Sequence, residues 1–279
     1  MMTLLAKKAV PVLLALCCGL TGGCGVMDGK PASEMLDLAL AGLTGTDGVR
    51  FEGQAALLVD GRQMPEGAVY YGGEMNNHNS LRLYTLLPDS AESSETPGVL
   101  TERSTRTDLY TRLEKRNGGW KVLPVSEDQT GNPLPGLNPI RQLEELESMS
   151  KKVTNEAGAG RGMRLLRIEL APQQAQAQLT AELGAEMKAI RTASSRAKGV
   201  GAMAEADASA LETLWLKENG ELQRRLRNAK VDTVYHVKVD ARRNLPKSMS
   251  RQRTITYLSS GGQTRRETYV SRVDFYGYR

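Results

Sequence analysis

Apolar residues first recur at three- and four-residue spacing in SEMLDLALAGL, residues 33–43. Met35, Leu36, Ala39, Leu40 and Leu43 share one face there, which predicts a short helix capped by Ser33 and ended by Gly42 and Gly45. From Val49 the period falls to two. Val49, Phe51, Gly53 and Ala55 line one side of a strand, and Asp60-Gly61 predicts a hairpin turn. GAVYYGGEM reads as the return strand, and Leu81, Leu83, Thr85 and Leu87 line another. PDSAESSETPG reads as a polar loop. Leu109, Thr111 and Leu113 then face Trp120, Val122 and Pro124 across a turn at Asn117-Gly118-Gly119. The prolines of GNPLPGLNPI predict a loop. Asn138 caps a helix with Pro139 in its first position and Ile140, Leu143, Leu146 and Met149 on its apolar stripe. A glycine-rich turn, 153–162, precedes the strand GMRLLRIEL.

Residues 173–228 differ in texture. Leu179, Leu183, Met187 and Ile190 form one helical stripe, and Ala208, Leu211, Trp215, Leu222 and Leu226 form another. The pattern predicts two amphipathic helices of about five to seven turns, their apolar faces laid on the strands. VDTVYHVKVD, MSRQRTITYL and TRRETYVSRVDFYGY follow as strands, joined by ARRNLPKS and SSGGQ. These connections are too short for crossovers, so the strands run antiparallel. No unit of 20–50 residues repeats. The expected class is α+β.

The N-terminus adds a destination. Lys7 and Lys8 precede a mostly apolar run, Ala9 to Leu20, that contains Pro11. The run is shorter than the ~20 apolar residues a bilayer span needs. A positive start, a short apolar stretch and the small residues before Cys24 predict a secretory signal over 1–23. GVMDGKPA then reads as a tether, residues 24–32, leading into a single domain over 33–279. Of the three cysteines, Cys17 and Cys18 leave with the signal. Cys24 alone can form no internal disulfide and offers no metal cage.

Composition excludes more than it selects. Hydrophobic residues at 40% and charged residues at 25% suit a globular protein. With aromatics at 5% and two phenylalanines, the core must rest on Leu, Val, Ile, Met and Ala. A formal charge of +5 is a mild attraction to anionic surfaces. No nucleic-acid motif or aromatic ladder accompanies it, so no nucleic-acid partner is expected.

Catalytic chemistry is sparse. His78 lies in a polar loop and His236 in a strand, neither at ligand spacing from a second donor, so no metal is expected. Gly158–Gly162 precedes a strand instead of opening a helix, which rules it out as a phosphate loop. Glu218 and Glu221 stand three apart on a solvated helix. Arg224 to Lys230 close that helix with cations suited to its dipole, and they offer a contact for acidic lipid or wall polymer. The expectation is a non-enzymatic chain without a cofactor.

Two resemblances follow. The small residues ahead of Cys24 resemble the lipobox of bacterial lipoproteins. This implies that the Cys24 sulfur carries a diacylglycerol and that the chain rides the extracytoplasmic face of a cell membrane. FEGQAALLV, LYTRLEKRNGGWKV and VYHVKVDARRNLPKSMSRQ, with Asp240 before Leu245-Pro246, resemble the LolA, LolB, LppX and RseB type of lipid-carrier and lipoprotein-sorting folds. That resemblance implies a strongly curved antiparallel sheet, an unclosed half-barrel, with helices packed on its concave side. It further implies an apolar ligand, a lipid or acylated molecule. Trp120, Trp215 and Met187 stand as either cavity lining or ordinary core. The alternative use of such a fold is to grip an envelope protein partner.

Overall fold

The computed structural model describes residues 29–64, 68–86, 109–123, 132, 134–199, 205–259 and 261–279. Cys24, the signal, most of the tether and the PDSAESSETPG loop lie outside the described residues. Helix α1 (Ala32–Thr44) leads into β1 (Gly48–Val59), β2 (Arg62–Gln63), β3 (Val69–Asn76), β4 (Ser80–Thr85), β5 (Tyr110–Arg116) and β6 (Gly119–Leu123). A 3-10 turn, Leu134–Leu137, precedes α2 (Pro139–Ser148), then β7 (Lys151–Glu156) and β8 (Met163–Leu170). Two long helices follow, α3 (Pro172–Gly199) and α4 (Glu205–Asn228). The final strands are β9 (Lys230–Asp240), β10 (Leu245–Leu258) and β11 (Thr264–Tyr276).

The described strands make one antiparallel sheet in the order β6-β5-β4-β3-β1-β11-β10-β9-β8-β7, with β2 paired to β1. It is the strongly curved, unclosed half-barrel of an α+β fold. Its seam joins the two ends of the chain: β1 runs against β11 from Arg50↔Tyr276 to Val59↔Glu267. Register sends the period-two residues to one face. Phe51 pairs with Phe275, Val273 with Met249, and Tyr235 with both Arg251 and Ile168. That inner face is buried and the outer face is polar, as an antiparallel sheet with one wet side requires. The Phe51 and Phe275 rings meet edge to face, 6.1 Å between centroids.

Helix α1 packs all five stripe residues, Met35, Leu36, Ala39, Leu40 and Leu43, into this core. It starts one residue before Ser33, after Pro31, with no side-chain cap. Asn138 does cap α2, its Oδ1 accepting from Ile140 N at 3.0 Å and Arg141 N at 3.1 Å. Two short elements depart from the sequence reading. Leu134–Leu137 winds into a 3-10 turn because Leu134 and Leu137 are buried. Lys151–Glu156, its last four residues assigned above to a turn, forms edge strand β7 against β8. Its sequence KKVTNE carries no alternation of its own, so pairing with the apolar β8 decides its state.

The helical pair departs most. With 28 residues, α3 is about 42 Å long. Burial fades along both stripes: Leu179 is 3% exposed and Ile190 48%, while Leu226 is 4% and Leu211 38%. Only the first turns of α3 and the last turns of α4 lie on the sheet. Beyond them the helices pack on each other, where Trp215 Nε1 donates to the Met187 carbonyl at 2.8 Å and Arg191 meets Glu212 at 2.6 Å. The apolar faces do not cover the strands along their whole length, because each helix is longer than the face available to it.

Close approach requires a glycine at position 73. A Cβ on Gly73 would sit 2.4 Å from Phe51 Cζ and 2.7 Å from the Arg82 carbonyl oxygen. Gly73→Ala is therefore expected to destabilise the fold by about 1–3 kcal/mol, seen as a lower urea midpoint at unchanged slope. An unchanged midpoint would mean that the Phe51 ring is free to move aside.

Candidate functional site

In LPKSMSRQRTITYL the alternation of β10 sends Met249, Arg251, Arg253, Ile255 and Tyr257 to the inner face. Two arginines thus stand where the period calls for apolar residues. Arg251 is 4% exposed and Arg253 3%. Charges this deep require partners, and α3 supplies them. Gln178 and Glu182, one turn apart, sit on the side of α3 that meets the sheet. Arg253 Nη1 donates to Glu182 Oε2 at 2.5 Å, and Arg253 Nη2 donates to Glu182 Oε1 at 3.2 Å and to Gln178 Oε1 at 2.8 Å. Arg253 Nε reaches Thr233 Oγ1 at 3.4 Å. Gln178 Nε2 donates to the Tyr235 hydroxyl at 3.3 Å and to Glu145 Oε2 at 3.4 Å, tying α2 into the same network.

Arg251 has one carboxylate at longer range and the Tyr235 and Tyr269 hydroxyls as hydrogen-bond partners. Its Nη1 lies 3.4 Å from Glu182 Oε1, its guanidinium lies 5.2 Å from the centre of the Tyr269 ring, and its buried Nε has no hydrogen-bond partner among the described residues. One carboxylate therefore serves two buried guanidiniums. Burial alone would raise the Glu182 pKa. The hydrogen bond and charge of Arg253, followed by the charges of Arg251 and Arg141, outweigh it and hold the carboxyl below the usual range. Burial raises the pKa of the nearby Tyr71 and Tyr269 hydroxyls, so both stay neutral and able to hydrogen-bond.

Beside this network the inner face is partly open. Leu57 and Val59 of β1, Val69 of β3, Ile255 and Tyr257 of β10 and Tyr269 of β11 are half-buried on the concave side. Leu57 pairs with Tyr269 and Val69 with Ala55, so the strip continues the buried core without a break. Arg225 of α4 stands 5.9 Å from the Tyr257 ring, at the base of the helical pair. Glu267 of β11, the register partner of both Val59 and Ile255, faces the same side and accepts from the Tyr257 hydroxyl. The result is a largely apolar strip that carries one carboxylate, with a tyrosine-lined end where the roots of α3 and α4 meet β9 and β10.

The residues singled out by sequence fall elsewhere. Trp120 sits on edge strand β6, and its indole donates to Glu144 Oε2 at 2.9 Å, beside the Lys115 ion pair. Met187 and Trp215 come together where α3 and α4 pack on each other, with Arg191 stacked 4.6 Å from the Trp215 ring. Trp120 is not brought to them. His78 pairs with Asp47 at 2.9 Å and His236 with Glu156 at 3.4 Å. His236 belongs to an outer-face groove of about 260 Å³ lined by polar side chains, among them Arg167, Asp232 and Arg266. Among the described residues no three histidine, cysteine or acidic side chains are placed to hold a metal, and no helix is long and apolar enough to cross a membrane.

No family model matches this chain, and no curated protein does. Among solved structures, a LolA superfamily protein from Nitrosomonas europaea aligns over 90% of this chain and 93% of its own, at 8% identity and a TM-score of 0.28. A DUF1329 family protein from Desulfovibrio piger has the same coverage and identity at a TM-score of 0.25. A lipovitellin structure, described by its lipid–protein interactions, aligns over 83% of this chain at 9% identity and a TM-score of 0.36. This chain spans about a quarter (25%) of that lipovitellin chain.

The network makes a claim about pH. Because folding lowers the Glu182 pKa, its contribution is complete above the ordinary glutamate value of 4.5 and is lost as pH falls through the lower folded value. Glu182→Leu leaves two buried cations unpaired and is expected to cost about 3–5 kcal/mol at pH 7. It should also flatten the fall in melting temperature below pH 4.5, read by thermal denaturation across pH. An acid limb identical to that of the parent chain would place the titration in another group.

Proposed function

We propose that this chain is a non-enzymatic, lipid-anchored protein on the extracytoplasmic face of a cell membrane, binding an apolar ligand on the concave side of its half-barrel. Residues 1–23 direct export, Cys24 carries the diacylglycerol, residues 24–32 form the tether and 33–279 the binding domain. The observation that carries the reading is the half-buried strip of Leu57, Val59, Val69, Ile255, Tyr257 and Tyr269, continuous with the core and next to the helix roots. The roof is held in large part by ion pairs between α3 and the sheet. Such pairs can be exchanged for others at small net cost, whereas apolar packing cannot be undone so cheaply. A lipid or other acylated molecule suits a strip of this chemistry.

A second reading is favoured by the far part of α4, where Leu211, Leu214 and Leu216 are exposed. There the same body would grip an envelope protein through the helical pair.

Native mass spectrometry of the full chain, extracted from its membrane in mild detergent, is expected to show a retained lipid. Leu57→Glu should strip that lipid while leaving the fold intact. A mass equal to protein plus anchor alone, together with crosslinks from α4 to one envelope protein, would favour the second reading. Palmitate labelling tests the anchor by itself: Cys24→Ser should abolish the label, and a retained label would refute acylation at Cys24.

A further inference from the structure

Two buried arginines on the concave face share one ion-paired carboxylate. Glu182 alone pairs with both Arg251 and Arg253, at 3.4 and 2.5 Å. The Arg251 Nε donor, inside a side chain 96% shielded from solvent, has nothing to donate to among the described residues. Around Arg251 stand Tyr235, its register partner on β9, and the Tyr269 ring on β11, with the buried Tyr71 among the groups that feel its charge. Neutral phenols beside a guanidinium can donate to an anion that the guanidinium binds, and planar guanidinium takes carboxylate and phosphate oxygens in pairs. The strip of Leu57, Val59, Ile255 and Tyr269 begins at this same point.

From this placement we infer that the ligand is an anionic amphiphile. Its charged group is received by Arg251 and Arg253, its chain lies along the Leu57–Ile255 strip, and Glu182 occupies the anion's place when no ligand is bound. The inference rests on the apolar-ligand reading and names the charge at the ligand's end. The exchange is one anion for another. As the ligand's carboxylate or phosphate arrives, Glu182 leaves with α3 and no charge is left buried without a partner. Glu182, only partly buried at 22% exposure, can reach water when it is displaced, whereas the two arginines on the sheet cannot. Glu186, one turn further along α3, has its pKa raised by partial burial and then by the Glu182 charge.

The test uses the full chain in detergent and compares three probes of one chain length. These are palmitate, methyl palmitate and a palmitoyl lysophosphatidate, each displacing a fluorescent fatty acid. Palmitate or the lysophosphatidate should bind at least about tenfold more tightly than the methyl ester, a difference of about 1.4 kcal/mol. Whichever of the two acids binds better identifies carboxylate or phosphate as the natural group. Arg251→Gln should erase the preference for the acid while methyl ester binding persists, which shows that the variant is folded. Glu182→Gln keeps the side chain's shape and removes its charge, and should tighten palmitate binding several-fold without changing that of the ester. Equal binding of acid and ester by the parent chain would overturn the inference and leave apolar-ligand binding standing. Binding of none of the three probes would remove both.

Discussion

A carboxylate on a helix and two guanidiniums on a strand hold the roof of this protein to its floor. Arg251 and Arg253 lie too deep to be solvated, and the sheet offers them no acidic partner. Glu182 must therefore stay where it is unless another anion takes its place beside them. The orientation of α3 follows from that requirement, since Gln178 and Glu182 have to meet Arg253 together. The course of α4 follows in turn, because it packs on α3 and is tied at its end by Gln176 Nε2, which donates to the Leu226 carbonyl at 2.5 Å. The far parts of both helices stand off the sheet, and the roots are where the pair is fastened.

The floor has the opposite character. Its seam, β1 against β11, brings together residues more than 200 positions apart, and the Phe51–Phe275 contact sits on that seam. Helices α1 and α2 complete this part with closely packed Leu36, Leu40, Ile140, Leu143 and Leu146. In the binding role proposed above, a packed floor and an ion-paired roof would divide the work. The first keeps its shape, and the second can exchange partners.

Much of the floor was legible in the sequence because it obeys simple periods. The five buried residues of α1 are the five on its predicted stripe. The faces of β1, β4 and β5 follow the alternation read from Phe51, Leu83 and Leu113, and Asn138 caps α2 with Pro139 behind it. The site was much less legible. Arg251 and Arg253 carry no signal of their role in the sequence, because nothing local to MSRQRTITYL says which face α3 will cover. Counting by twos from Met249 or Tyr257 would have placed both arginines on the apolar face, and the spacing of Gln178 and Glu182 would have supplied their partners. The tryptophans drew attention as large side chains, yet each is held by a specific hydrogen bond, Trp120 to Glu144 and Trp215 to Met187. The reach of α3 and α4 beyond the sheet could not be read from their stripes, since a stripe gives the buried direction of a helix and says nothing about how much surface lies beneath it.

Amide hydrogen exchange of the Arg253→Met chain tests this division most directly. If the arginine–glutamate contact fastens the roof, the amides along α3 and the root of α4 lose protection by at least roughly tenfold, while those of β1, β11 and α1 exchange as in the parent chain. Unchanged protection in α3, or an equal loss throughout the sheet, would contradict the account.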